Sequence, residues 1–139
     1  DGATHANKTV SSGQVTLDSL SKVVQVGLGY KHRMKFLRLT GGNPVGTSVG
    51  KIKRIDGITF VLLNAQTLRW GPSLDNMVEV DFREVQDAMD AATPYFTGDY
   101  FQEFDGDWGT DPRIWIEHDD PTPFTLLSAA PEFKVNAIK

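Results

Sequence analysis

The sequence contains no cysteine. That absence removes disulfide frameworks, thiolate zinc sites, iron–sulfur clusters and cysteine nucleophiles together, and it leaves no mark of redox compartment. Long apolar runs are missing too: nothing approaches the roughly 20 residues a membrane helix needs. The opening Asp1-Gly2-Ala3-Thr4-His5 lacks the basic-then-apolar order of a signal peptide. A soluble chain is expected, and because residue 1 is aspartate the expectation is a processed chain or a piece of a longer one. There is no internal repeat, low-complexity tract or long Ser/Gly linker to mark a domain boundary.

Catalytic and metal signatures are equally scarce. Histidines stand at positions 5, 32 and 118, and no two have ligand or catalytic spacing. No nucleophile elbow occurs, and Gly46-Thr47-Ser48-Val49-Gly50-Lys51 is one residue short of a phosphate-binding loop, with Ile52 where a hydroxyl residue belongs. Asp105-Gly106-Asp107-Trp108-Gly109-Thr110-Asp111 places acids as a calcium loop does. It lacks the glycine that such a loop needs at Thr110 and the glutamate it needs at Ile116. Asp119-Asp120 and Asp105/Asp107 could in principle serve as an acid–base pair, but Asp and Gly also have an ordinary place in turns. No catalytic, cofactor-binding or metal residue is assigned, no cofactor is expected, and the chain is read as not an enzyme.

What is present describes an ordinary globular chain: 139 residues, 40% hydrophobic and 23% charged. Residues 1–13 are polar and aperiodic and form the expected arm or linker; residues 14–139 form one β-rich domain. Charge is uneven. Residues 1–54 hold nine Lys/Arg against two Asp/Glu, and residues 55–139 hold five against sixteen, so the halves carry +7 and −11. Such a dipole can meet phosphates or the opposite face of an identical neighbour, or it can be two solvated faces.

Short apolar stretches alternating with turn residues predict an antiparallel all-β fold, a sandwich or flattened barrel. Strands are expected at Val15–Leu17, Val23–Leu28, Arg33–Leu39, Lys51–Leu63 with a bulge at Asp56-Gly57, Pro112–His118, Phe124–Ala130 and Phe133–Ala137. Gly41-Gly42-Asn43-Pro44 predicts a loop. Asp81-Phe82-Arg83-Glu84 has the form of a capping box, and Val85, Ala88, Met89 and Ala92 follow at helical spacing, so at most one short helix is expected near 82–92.

Aromatics gather at Tyr95, Phe96, Tyr100, Phe101 and Phe104, with Trp108 and Trp115 just beyond. Tyr95, Tyr100, Phe101 and Trp108 are candidate interface anchors, a sugar-stacking platform, or plain core. In a strand, Lys31, Arg33 and Lys35 share a face. With Lys51, Lys53 and Arg54 they make a basic stripe suited to a backbone phosphate or an acidic partner, without base-reading chemistry.

The order of several motifs resembles the C-terminal region of bacteriophage tail nozzle proteins, also called tail tubular protein B. These motifs are Val23 to Tyr30 with Lys35 to Leu39, Gly46 to Ile55, Gly71-Pro72-Ser73-Leu74-Asp75-Asn76, Phe96-Thr97-Gly98-Asp99, Gly106-Asp107-Trp108 and Ile114 to Leu127. The likeness spans Gln14 to Phe133. Family members are usually longer; Gly29 stands where proline is expected after Gly-Leu, and Phe82 to Pro94 is expected to be a loop in relatives. The resemblance implies a virion structural protein without catalysis or cofactor. It implies a β-rich subunit in a sixfold ring of identical subunits around the DNA-ejection channel, touching neighbouring tail or adaptor proteins, with DNA only in transit and no membrane in the assembled state. Lys51, Lys53 and Arg54 would then meet an acidic partner surface. The alternative reading is a carbohydrate- or receptor-binding β-module of a phage tail; an acidic glycosidase is more distant.

Overall fold

Strands with one apolar face need a second layer to cover it, and here two antiparallel sheets cover each other. The computed structural model describes residues 4–43, 46–89 and 91–136. Its strands are β1 (His32–Lys35), β2 (Gly42–Asn43), β3 (Gly46–Thr47), β4 (Lys53–Ala65), β5 (Thr67–Ser73), β6 (Asn76–Asp81), β7 (Phe96–Glu103), β8 (Trp115–His118) and β9 (Thr125–Val135). One sheet has the order β1-β8-β5-β6, the second β7-β4-β9, and β2 and β3 pair in a small hairpin. The fold is an all-β sandwich whose sheets do not close into a barrel.

The core follows from period-two alternation. Ile58, Phe60 and Leu62 of the central strand β4 share one face and are fully buried; Leu68 and Trp70 of β5 and Ile116 of β8 meet them from the other sheet, with Phe104 and Ile114 from connecting segments. The Trp70 ring lies between Phe60, at 5.8 Å, and Phe104, stacked at 5.6 Å. The expected bulge in β4 is present, since its register against β9 shifts between Ile55 and Gly57.

Other expectations are corrected. No helix forms among the described residues near 82–92: Val85 and Met89, half of the intended apolar face, stand in solvent. A helix of three turns is marginal without packing, and Arg83 takes its place as an organiser. Its guanidinium donates to Ala88 O and Ala91 O, both at 2.7 Å, and the Asp81 carboxylate accepts from Arg83 N at 3.0 Å, a turn rather than a helix cap. Val15–Leu17 and Val23–Leu28 form no strand, because no neighbouring strand offers them a ladder. The two closing strands are one, β9, which runs through Pro131; as an edge strand β9 needs no donor on its outer side there. Pro44, Asp90 and Ala137, which belong to the expected loop, helix and last strand, and Asp1–Ala3 of the expected arm lie outside the described residues.

Candidate interaction surfaces

The outward face of the four-stranded sheet carries a row of alternating charge. Register sets Arg33 opposite Glu117, Glu117 opposite Arg69, and Arg69 opposite Glu79, a favourable cross-strand arrangement. Glu117 is the hub. Its side chain is only 4% exposed, and it accepts from Arg33 Nε at 2.6 Å and Arg69 Nη1 at 2.8 Å, with Lys31 Nζ at 3.4 Å. The Arg33 hydrogen bond holds its carboxyl below the ordinary glutamate value, and Lys31 acts in the same direction while burial opposes both. Lys31 also reaches Asp119 at 3.3 Å.

His118, the next residue, points the other way. Its ring stacks on Phe124 at 5.0 Å, its Nε2 lies 3.3 Å from Thr122 Oγ1, and His32 stands opposite at 6.3 Å. Burial pushes its pKa below the ordinary histidine value; Asp120 opposes this and His32 reinforces it. A base that resists protonation only when folded loses stability as pH falls through its unfolded value of about 6.5. Denaturant titrations between about pH 7.5 and 5 should show falling stability, and His118→Gln should flatten that slope. An unchanged slope in the variant would contradict this origin.

The sequence-nominated residues do not form one site. Tyr100 faces the core edge, edge-on to Phe82 at 5.0 Å and to Phe96 at 6.0 Å, and burial raises its phenol pKa. Tyr95 is exposed just before β7. Phe101 is half exposed on the outward face of β7, its ring lying over Gly57, and Trp108 is half exposed in the loop that follows β7. That loop is tied down by paired bonds between Lys53 and Gly109, at 2.7 and 2.9 Å, which leave Asp105 and Asp107 in solvent. Asp119 and Asp120 diverge, the first to Lys31 and the second to Thr67 Oγ1 at 3.1 Å.

The basic stripe is largely committed inside the molecule. Lys31 and Arg33 bind Glu117, Lys35 Nζ lies 4.9 Å from the centre of the Trp115 ring, and Arg54 Nε is 3.4 Å from Asp56. Lys53 is fully buried and donates to Leu39 O at 3.1 Å; burial, aided by Arg38, lowers its pKa. Lys51 is half buried.

Sequence reasoning missed two features. Glu117 and Arg69 are 48 residues apart, so their contact has no local signal. The exposed run from Val24 to Tyr30 was legible as a strand pattern, but not as one without a partner inside the subunit. No protein-family model matches the chain, and none of the curated proteins compared with it matches either.

Proposed function

We propose that this chain is a structural module of a short-tailed phage tail nozzle, a self-associating subunit of the ring around the DNA-ejection channel. The observation that carries the reading is the amount of large apolar side chain left outside the core. Val24, Val26, Leu28, Tyr30, Leu37, Phe101, Trp108 and Leu127 are all exposed, and the first four fall within one seven-residue run, a local concentration of exposed apolar side chain of the kind that marks interaction sites. The order of motifs from Gln14 to Phe133 supports the phage-tail assignment. The internal pairing of the basic stripe supports DNA as a passenger and not a ligand, since cations already bound to Glu117 or buried have little to offer a phosphate.

Sedimentation velocity across a concentration series should show a closed oligomer of discrete size, seen as a ring by electron microscopy. Duplex DNA should not bind at near-physiological salt. Tight binding whose log affinity falls against log salt by about 0.9 per phosphate contact would refute the conduit reading. Half-exposed Trp108 and Phe101 favour carbohydrate as the second reading, and saturable glycan binding by a persistent monomer, lost in Trp108→Ala, would replace the first.

A further inference from the structure

Residues 24–30 read Val-Gln-Val-Gly-Leu-Gly-Tyr, with every second side chain large and apolar and the intervening ones polar or absent. This is the alternation of a half-buried strand, yet the segment forms no strand. No hydrogen bond joins its backbone to other described residues, Val26 is 81% exposed and Leu28 is 97% exposed. Both its apolar face and its backbone polar groups lack what a strand requires.

Among the described residues, the edge strands of the two larger sheets are β1, β6, β7 and β9. The β1 edge carries Arg33 and Lys35, of the same charge sign as the half of the chain that contains the segment. Pro131 in β9 removes a ladder donor, and β7 carries Gly98 at φ 149° within the strand. β6 contains neither proline nor glycine and its edge is acidic, with Glu79 and Asp81 exposed on the strand and Asp75 in the turn before it. Its Val78 is in register with buried Trp70 and so faces the core side, but it remains 43% exposed because the sheet ends there. A strand laid along β6 with its valines facing the same way would complete that layer.

The segment cannot reach β6 of its own subunit. It runs directly into β1, at the far edge of the same sheet, and Lys31 is held there by Glu117 and Asp119. The position beyond β6 lies four strand spacings away, about 19 Å. Covering that distance at about 3.4 Å per residue consumes nearly the whole segment before any pairing begins.

We propose that Val24–Tyr30 of one copy adds as a fifth strand to the β6 edge of a second copy. Donor and acceptor lie at opposite edges of one sheet, so the contact is head-to-tail and the sheet continues from subunit to subunit, which yields a ring when the rotation closes. The negative half of one subunit meets the positive half of the next. This rests on the self-association reading above and names the contact that would produce it.

The test uses two variants of the full chain. Val26→Pro takes a large apolar side chain from the face of the segment and fixes its φ near −65° at a site outside the core, and Val78→Lys places a charge on the acceptor edge. Each should weaken self-association about tenfold or more in dissociation constant, with thermal unfolding close to wild type for Val26→Pro. Mixed together, the two variants should form a one-to-one heterodimer and nothing larger, because each retains the half that the other lacks. If the wild type assembles and Val26→Pro assembles equally well, the strand contact is wrong and the ring reading survives. If the wild type stays monomeric at all concentrations, both fall. Should Val78→Lys fail to fold, Val26→Pro alone decides.

Discussion

Replacing Gly71 with alanine should cost about 3 kcal/mol or more, a major share of the roughly 5–15 kcal/mol that holds a domain together. A β-carbon at this position would lie 2.0 Å from Asn76 O and 3.0 Å from Met77 Cα, both backbone atoms of β6. The approach is close because the β5–β6 register shifts between Trp70 and Ser73, which places an extra residue on β5 and bends the ribbon. No side-chain rotation can relieve such a contact, so β6 must move away from Trp70, at the centre of the core. Urea unfolding of Gly71→Ala measures the loss. A decrease below about 1 kcal/mol would show that the ribbon yields more easily than a packed sheet should.

The second large effect is expected at Glu117. Glu117→Gln should destabilise the fold by about 2–3 kcal/mol. This is the cost of about 3–5 kcal/mol for breaking a buried pair, reduced because Lys31, Arg33 and Arg69 keep partial access to water. The pH dependence carries a separate signature. Since the folded-state pKa is depressed, the contribution of Glu117 is complete above the unfolded glutamate value of about 4.3 and is lost as pH falls through the lower folded value. That window lies below the one assigned to His118, so the two variants should flatten different parts of one stability profile. If Glu117→Gln unfolds at the wild-type denaturant midpoint, the charge row is ornamental and the sheet is held by its core face alone.

The fold class was legible because alternation and turn chemistry are local. Ile58, Phe60 and Leu62 declare one face of β4, Asp56-Gly57 its bulge, and Ile114 and Ile116 the buried side of the segment leading into β8. The β5–β6 hairpin and β7 were equally local patterns. Leu68 and Trp70, then Val78 and Val80, alternate across a turn at Leu74-Asp75, and Phe96, Tyr100 and Gln102 alternate along β7. Both patterns are readable in the residues, although Gly71–Asn76 also reads as a family motif and the aromatics of β7 as an interface cluster.

The helix near 82–92 illustrates the opposite case. Its caps and spacing were correct as local preferences, but nothing packs against Val85 or Met89, and a short helix cannot persist on propensity.

Residue order alone thus established an all-β chain with a bulged central strand and a polarised charge distribution, because period-two burial and charge count depend only on near neighbours along the chain. Partnership required three dimensions. Glu117 meets Lys31, Arg33 and Arg69 across 86, 84 and 48 residues of sequence, and Lys53, outwardly one of three basic neighbours, turns inward to Leu39 O. The same is true of Val24–Tyr30. Its pattern suits a sheet edge, but only the strand order β1-β8-β5-β6, with the segment leaving from one end, shows that the β6 edge of its own subunit is out of reach.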